Sequence, residues 1–411
     1  GLATFLASSP LLHAQRDPWP LGDHRRMLGF NEMLTAFDFE PVFRANVPLS
    51  VYDYTAHGTD SEFTLQRNRD VFDWVELVSG GGVNPDHVDT STTVLGVPLK
   101  NPIMVAPTAR QRDLHPDGEC AAARACAAHS IPYCASQQST TAIEEIGRAG
   151  GDDAPRMFQL YVLSDREATT KLIRRAESAG ATALCITVDA PVLGRRERDV
   201  RNRFELKAGL KLANVDAKKN QNQNQNQTGP DKSAVDAKRA QSAIARRIGG
   251  RDASFTWDHL AWLRSVTHLP LVLKGIVTHA DAKRAAKLGI AGVWVSNHGG
   301  RQLDGSPATL DALPEVVAGV DGACVVIFDG GVRRGTDALK ALALGADLVA
   351  VGRPVAWGLA CGGERGVGKA VELLTEELRT AMTLAGCGNV RSTRNRELVQ
   401  VVGERPPRSR L

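Results

Sequence analysis

The sequence predicts an α/β fold, a (β/α)8 TIM barrel with an N-terminal helical cap and a long insertion after the fourth strand. Short apolar runs recur along the chain, and helical stretches lie between most of them. Apolar strands that alternate with helices are typical of parallel strands buried on both faces, and eight such units close into a barrel. With 411 residues, 43% of them hydrophobic, the chain can bury the large core that such a barrel requires.

Eight apolar runs are predicted to be the barrel strands, at residues 103–106, 131–134, 157–161, 183–188, 269–274, 292–296, 325–328 and 348–351. Polar residues end or follow seven of these runs: Thr108, Gln159, Tyr161, Thr187, Asp189, Lys274, Ser296, His298, Asp329 and Arg353. Barrels of this kind carry their chemistry at the C-terminal ends of the strands. We therefore expect these side chains to converge on one site.

The barrel is predicted to occupy residues 91–375, with the insertion at 192–255. Residues 17–90 are predicted to form the N-terminal helical cap, and residues 376–411 a C-terminal helix and tail. Within the insertion, residues 220–227 alternate between Asn and Gln, and we expect this tract to be mobile because amide repeats bury little apolar surface. Residues 1–16 are expected to be either the remnant of a secretion signal or a mobile N-terminus.

The composition argues against several classes of protein. The formal charge of +4 is small and dispersed, so a nucleic-acid partner is not expected. The seven cysteines are odd in number and form no C-x-x-C pair, which predicts buried free thiols and neither a disulfide framework nor a metal site. No apolar run is long enough for a transmembrane span. We predict a cytoplasmic location, with export as the alternative if residues 1–14 are a truncated signal.

The most informative motif is residues 291–304, in which an apolar strand ends in a polar turn that carries His298 and Arg301. A histidine can take a proton near neutral pH, and a guanidinium can hold a carboxylate through two parallel hydrogen bonds. This pair is typical of proton abstraction next to a carboxyl group. A solvated surface histidine and arginine is the alternative for the motif taken alone.

The second motif comprises residues 325–337 and 348–353, at the ends of strands seven and eight. Its glycines permit close approach of the backbone to a ligand, a following helix offers its N-terminus, and Arg333 and Arg353 supply positive charge. These features predict a phosphate site, where barrels commonly have one. Lys274 at the barrel mouth suits a flavin better than a nicotinamide, and no G-x-G-x-x-G motif opens a βαβ unit. A structural ion pair is the alternative for Lys274.

Together these motifs resemble the FMN-dependent (S)-2-hydroxy-acid oxidases and dehydrogenases, a family that includes glycolate oxidase, lactate oxidase, L-lactate dehydrogenase and mandelate dehydrogenase. The resemblance spans roughly residues 25–395. It is carried by the segments at 296–304 and 329–335, supported by those at 52–54, 107–109, 158–161, 187–189 and 193–197.

The resemblance implies FMN-dependent oxidation of a lactate- or glycolate-like (S)-2-hydroxy acid to the 2-oxo acid, with electrons passed to FMN and then to oxygen or another acceptor. It implies that His298 is the base that removes the α-proton, or the hydroxyl proton if hydride transfer operates. Asp189 would orient His298 and stabilise its charged form. Type 2 isopentenyl diphosphate isomerase and a non-catalytic flavin-binding barrel are the alternatives.

The same resemblance implies that Arg301 and Tyr54 hold the substrate carboxylate, that Tyr161 contacts the substrate hydroxyl and that Arg196 is a second arginine near the site. It also implies a homo-oligomer, a tetramer in this family. The implied FMN contacts are Thr108, Ala109, Ser136, Gln159, Thr187, Lys274, Ser296, Asp329, Gly331, Arg333, Gly352 and Arg353.

Two positions depart from the family pattern. Gln138 stands where glycolate oxidases have an aromatic residue in the loop after strand two, so we expect a more polar or differently shaped pocket there. Ala109 occupies a position where a glycine accompanies poor oxygen reactivity in the family, which favours an oxygen-using enzyme.

Overall fold

A computed structural model describes residues 27–152, 154–215 and 251–402. The expectations for residues 1–16 and for the amide tract at 220–227 lie outside these residues. The first three strands are β1 (Val75–Leu77) and the hairpin pair β2 (Thr92–Val94) and β3 (Val97–Leu99), and β12 (Val399–Val401) pairs with β1 in antiparallel register near the end of the described chain.

The eight predicted strands form one closed parallel barrel, which confirms the predicted fold class. They are β4 (Ile103–Val105), β5 (Tyr133–Ser136), β6 (Arg156–Leu160), β7 (Ala183–Thr187), β8 (Leu271–Ile276), β9 (Gly292–Val295), β10 (Val325–Phe328) and β11 (Leu348–Val351). The barrel closes where β11 pairs with β4, with Val349 opposite Ile103.

Two strands begin later than predicted, and a proline precedes each of them. Strand β5 begins after Pro132 and strand β8 begins after Pro270, because proline has no N–H to give to a sheet. Strand β8 also continues past Lys274 to Ile276, with an irregularity in its pairing between these two residues. Lys274 therefore lies inside the strand, just before the bulge at Gly275.

The barrel interior is a packed core rather than a channel. Fully buried side chains from several strands fill it, among them Met104, Cys134, Cys185 and Trp294. The β2–β3 hairpin contributes Val94 and Leu99 to the same cluster. Since this hairpin packs against residues at the strand starts, it closes that end of the barrel and leaves the opposite end for a ligand.

Helices surround the barrel and cover its outer face. Those after the N-terminal segment are α4 (Gly118–Ala128), α5 (Ile143–Gly150), α6 (Arg166–Ser178), α7 (Glu197–Arg201), α8 (His259–Val266), α9 (His279–Lys287), α10 (Thr309–Val320), α11 (Gly335–Ala343) and α12 (Arg353–Leu384). Helix α12 is interrupted by non-helical backbone at Gly362 and Gly363, and it contains residue 375, where we predicted the barrel to end. Within the described residues, no helix has the length and apolar character needed to cross a membrane.

Three short helices precede the barrel: α1 (Phe39–Asn46), α2 (Leu49–Ala56) and α3 (Phe63–Asp70). Phe39 and Phe43 of α1 are fully buried against Trp357 of α12. The start of α3 is tied to the loop after β9, where the Asp304 carboxylate accepts hydrogen bonds from the backbone N–H groups of Ser61 and Thr64. The N-terminal segment is thus fastened to the open end of the barrel.

Candidate active site

The open end of the barrel contains a large pocket with a volume of about 1200 Å³, including the solvent-filled space at its mouth. All the predicted site residues line this pocket except Asp189 and Ser296. These two lie directly behind it, since Asp189 is hydrogen-bonded to His298 and Ser296 to Lys274. The structure therefore brings the predicted set together in one place.

His298 is held in a defined orientation by its backbone and by Asp189. Its φ of +60° lies in the left-handed region, and its backbone N–H donates to Ser296 Oγ over 3.1 Å. Its Nδ1 lies 3.0 Å from Asp189 Oδ1. Because an ionised carboxylate can only accept, Nδ1 carries the proton and Nε2 is left with its lone pair.

The electrostatic surroundings keep this histidine neutral. Burial lowers the pKa of His298 below its usual value even though Asp189 acts to raise it. Burial alone would raise the pKa of Asp189, but His298 and Lys274 outweigh it and lower that pKa. At neutral pH the pair is therefore an imidazole with a free Nε2 and an ionised carboxylate behind it, which is the state that a general base requires.

Arg301 and Tyr54 form the wall next to His298. The guanidinium of Arg301 donates to the backbone carbonyls of Tyr54 and, over 3.1 Å, His57, and its carbon atom lies 4.9 Å from the centre of the Tyr54 ring. Burial lowers the pKa of Arg301 to about 10, so it stays charged at neutral pH. Tyr54 also stacks on Phe204 at 4.4 Å, and Arg196 lies 5.7 Å from its ring. This arrangement holds a cation and a phenol side by side in the pocket.

Lys274 lies at the bottom of the pocket in a buried polar cluster. Its Nζ donates to Ser296 Oγ over 2.6 Å and lies 3.2 Å from Asp329 Oδ2. Burial alone would lower the pKa of Lys274, but Asp329 and Asp189 raise it above its usual value, so the residue is charged. The other carboxylate oxygen of Asp329 is buried with no hydrogen-bond partner within the described structure. Such an oxygen is available to a hydroxyl group of a ligand.

A row of polar side chains runs along the barrel rim from β4 to Thr187 on β7, the cross-strand neighbour of Lys274. Ser136 Oγ donates to Gln159 Oε1 over 3.2 Å, and Gln159 Nε2 donates to Thr187 Oγ1 over 2.9 Å. On the other side of Ser136, Thr108 Oγ1 accepts from Gln111 Nε2 over 2.6 Å, with Ala109 lining the pocket beside it. These groups can give and accept hydrogen bonds along the edge of a planar ligand.

The far end of the pocket has the charge expected of a phosphate site. Gly331, Arg333, Gly352 and Arg353 line it, and helix α12 begins there at Arg353. Helix α11 does not offer its N-terminus, because the Asp337 carboxylate accepts from the amides of residues 333 and 334 and Glu377 accepts from that of Gly335. The helix end that faces the pocket is therefore that of α12.

Arg301, Arg333 and Arg353 are among the pocket arginines that have no carboxylate within ion-pair distance in the described residues. Burial lowers the pKa of Arg333 to about 10 and that of Arg353 well below its usual value. Isolated buried charge is costly, so such a pocket favours anionic ligands. Together with the free oxygen of Asp329 and the polar rim, these charges fit a flavin that carries a phosphate.

Arg353 was predicted only as a phosphate contact, but its guanidinium also binds backbone carbonyls of the protein. Its guanidinium donates to the backbone carbonyls of Thr55, Ala56, His57 and Gly299 over 3.1–3.2 Å. It thereby ties the end of α2 to the loop after β9 as well as lining the phosphate end. The helix C-terminus presents unpaired carbonyls, which explains why a cation is stable there.

Gln302 and Arg251 are two of the pocket residues that were not predicted. Gln302 bridges the loops after β7 and β9, since its Nε2 donates to the carbonyls of Asp189 and Val192 over 3.0 and 2.8 Å. Its place in the motif at 296–304 was the available signal. Arg251 stacks on Tyr161, with its guanidinium carbon 3.3 Å from the ring centre. It lies in no recognised motif, so the sequence offered no signal for it.

The fold and this site define a flavin-phosphate-binding barrel with a neutral histidine beside buried arginines. The model of the FMN-dependent dehydrogenase family matches residues 43–400, and the chain belongs to this family. An L-lactate oxidase of Nostoc sp. is 44% identical over 366 residues, 89% of this chain and 97% of that protein. The 2-hydroxyacid oxidase 1 of Homo sapiens is 46% identical over 354 residues, 86% of this chain and 93% of that protein.

A solved structure of a mandelate oxidase with (S)-4-hydroxymandelic acid has a TM-score of 0.81 and 41% sequence identity, covering 90% of this chain and 98% of that one. The family match confirms FMN as the cofactor, and together with these relatives it confirms the resemblance inferred from the sequence and the oxidoreductase class. Since the named relatives are oxidases, they favour an oxidase over the isomerase alternative.

Proposed function

We propose that this protein oxidises an (S)-2-hydroxy acid, lactate- or glycolate-like, to the 2-oxo acid, with His298 as the base. The observation that carries this proposal is the Asp189–His298 pair, which leaves Nε2 unprotonated in a pocket that also contains Arg301. A base and a carboxylate-binding cation in one pocket suit a substrate whose reacting carbon is next to its carboxylate.

Each side chain has a part in this reaction that its chemistry supports. Arg301 and Tyr54 bind the substrate carboxylate, and Tyr161 contacts its hydroxyl. His298 Nε2 takes one proton from the substrate, and the resulting imidazolium is stabilised by Asp189. Lys274 and the phosphate-end arginines hold the cofactor. Bound FMN would supply the acceptor for the two electrons and for the second hydrogen that leave the substrate as its C–H and O–H bonds break.

We propose oxygen as the final electron acceptor, on the support of Ala109, with a quinone or cytochrome as the alternative. The homotetramer and the cytoplasmic location, with export as its alternative, stay predictions. Measuring reoxidation in air against reoxidation by a quinone or dye tests the acceptor, and light scattering of the purified protein tests the assembly.

The proposed reaction predicts that the purified protein is yellow and that its flavin is bleached when L-lactate, glycolate or L-mandelate is added without oxygen. The measurement is the visible absorbance of the flavin before and after each addition. Protein that stays colourless after reconstitution with FMN would contradict the cofactor assignment. Flavin that stays oxidised across a broad set of 2-hydroxy acids would contradict the reaction.

The lowered pKa of His298 predicts the acid side of the pH profile. The base must be neutral to act, and a lowered pKa keeps it neutral to a lower pH. The rate constant of flavin reduction divided by the substrate dissociation constant is therefore expected to be level at pH 7 and to fall with a midpoint below 6.5. Anaerobic stopped-flow measurements from pH 5 to 9 give this midpoint, and a value above 7 would argue against His298 as the base.

A further inference from the structure

The substrate end of the pocket contains a cation that the proposed reaction does not use. Arg251 lines the pocket and lies flat against Tyr161, the residue proposed to contact the substrate hydroxyl. Its Nη1 donates to the carbonyl of Ala190, next to the Asp189 that holds His298, over 3.3 Å. These contacts place it at the reacting end of the pocket rather than at the phosphate end.

The position of Arg251 is fixed by its backbone. Residue 251 forms an isolated antiparallel bridge with Leu163, and the following N–H, of Asp252, donates to the carbonyl of Val162 over 2.8 Å. The loop after β6 therefore holds the arginine in place, and the stacking on Tyr161 orients its planar side chain. A side chain held in this way loses little entropy when it binds a ligand.

Most of the hydrogen-bonding capacity of Arg251 is unused. A guanidinium has five N–H donors, and the bond to Ala190 takes one of them. Its Nε is buried without a partner, and among the described residues no carboxylate lies within ion-pair distance. Burial lowers its pKa, which reflects the cost of keeping an unpaired charge there. The arginine is therefore poised to bind an anion.

The charges around the substrate end do not balance with a single substrate carboxylate. Arg301, Arg196 and Arg251 all line this end. Of the nearby acidic groups, Asp189 is paired with His298, and Asp199 lies beyond ion-pair distance from these arginines, with its pKa raised by burial. When Arg301 binds one carboxylate, the positive charges of Arg196 and Arg251 are still not balanced by a negative charge. Gln138, where glycolate oxidases have an aromatic residue, adds a further polar group to the lining of the pocket.

We propose that Arg251 binds a second carboxylate, carried on the side chain of the substrate, so that the enzyme prefers 2-hydroxy dicarboxylic acids to uncharged acids of the same shape. This inference rests on the proposed function and names the substrate class of the same site. Arg251 and Arg301 would then hold the two ends of the substrate, with the reacting carbon between them.

The test uses acids matched in shape. L-Malate and (S)-2-hydroxy-4-methylpentanoate differ only in a distal carboxylate against an isopropyl group, and L-2-hydroxyglutarate with (S)-2-hydroxy-5-methylhexanoate extends the comparison by one carbon. Flavin reduction by each acid is followed by anaerobic stopped-flow. The natural holoenzyme is expected to have a lower dissociation constant for the dicarboxylate of at least one pair, by roughly 10- to 100-fold, the usual contribution of a charged hydrogen bond.

Arg251→Leu is expected to remove this preference and to change the dissociation constants of the uncharged acids by less than about threefold. Arg251→Lys is expected to restore part of it, because the charge is kept and the planar fork is lost. Arg174→Leu, on the outer face of α6, is the control for the loss of a positive charge. A second readout needs no turnover: titration of the flavin absorbance with the unreactive 2-oxoglutarate and with 2-oxo-5-methylhexanoate.

Three results would overturn the proposal. Equal or tighter binding of the uncharged acids by the natural protein would show that no second carboxylate is recognised. An equal loss for both members of each pair in Arg251→Leu would show that Arg251 only positions Tyr161. If none of the acids bleaches the flavin, the proposed function fails together with this inference. If only monocarboxylic acids bleach it, the proposed function stands and only the preference for dicarboxylic acids is overturned.

Discussion

Replacing His298 by Gln is expected to leave FMN bound and to slow flavin reduction by at least about 10²- to 10⁴-fold, the usual contribution of a general base. The hydrogen-bonded pair with Asp189 presents Nε2 as the base, and an amide has no lone pair of comparable basicity at that position. The measurement is the limiting rate of anaerobic flavin reduction by the best substrate, with flavin content taken from the absorbance of the same sample.

A second variant separates the chemical effect from a backbone effect. His298 has a φ of +60°, a conformation that asparagine tolerates better than glutamine. If the loss in His298→Gln comes from the missing base, His298→Asn should be slow to a similar degree while staying as stable as the natural protein. A variant that retains more than a tenth of the natural rate would show that another group takes the proton.

Replacing Gly331 by Ala is expected to destabilise the protein by about 3–5 kcal/mol and to abolish FMN binding. A Cβ built at Gly331 lies 1.9 Å from the carbonyl oxygen of Asn68, and its φ of +80° suits glycine. The obstacle cannot move aside, because the side chains of Asn68 and Asn297 exchange two hydrogen bonds of 2.9 Å and are buried. Urea unfolding and FMN titration of the apoprotein measure the two effects.

The matched control is Gly322→Ala. Gly322 has a similar φ of +73°, but a Cβ there has nothing within 4 Å. This variant therefore isolates the cost of the left-handed conformation, about 1 kcal/mol, and should bind FMN normally. Similar stability losses in the two variants would mean that the contact between Gly331 and Asn68 contributes nothing to the phosphate end of the site.

The barrel could be predicted because its strands are buried on both faces and so stand out as apolar runs. The convergence of the candidate site residues could be predicted for a related reason. Parallel barrel strands all end at the same rim, so polar residues at their ends, such as Lys274 and His298, lie close together. The largest errors in strand position occurred at β5 and β8, each of which a proline precedes. There the apolar run and the hydrogen-bonded ladder do not coincide.

Contacts between distant segments could not be predicted where no recognised motif carried them. Arg353 was expected at the phosphate end, but its bonds to the carbonyls at the end of α2 depend on how two segments nearly 300 residues apart pack together. Arg251 is the same kind of case, since its importance comes from lying on Tyr161, and no local pattern encodes that stacking. The sequence indicates which side chains lie at the barrel rim because they end a strand. Only the folded structure shows which residues from other segments pack against them.

The attachment of the N-terminal segment to the loop after β9 has a consequence for the order in which the protein folds. The Thr64 amide bonds to Asp304, 240 residues later, and Arg301 contacts the backbone of Tyr54 across 247 residues. At about 5–20 residues per second, the ribosome needs roughly 12–50 s to make the intervening chain.

During that interval helix α1 has been made but Trp357, which covers its phenylalanines in the finished protein, has not. The pocket wall formed by Tyr54 and Arg301 is therefore expected to assemble late, together with the closure of the barrel, because the pairing of β4 with β11 spans a similar separation. A chain whose synthesis stops before α12 is expected to aggregate through the bare face of α1 rather than to accumulate as a soluble barrel without its substrate site.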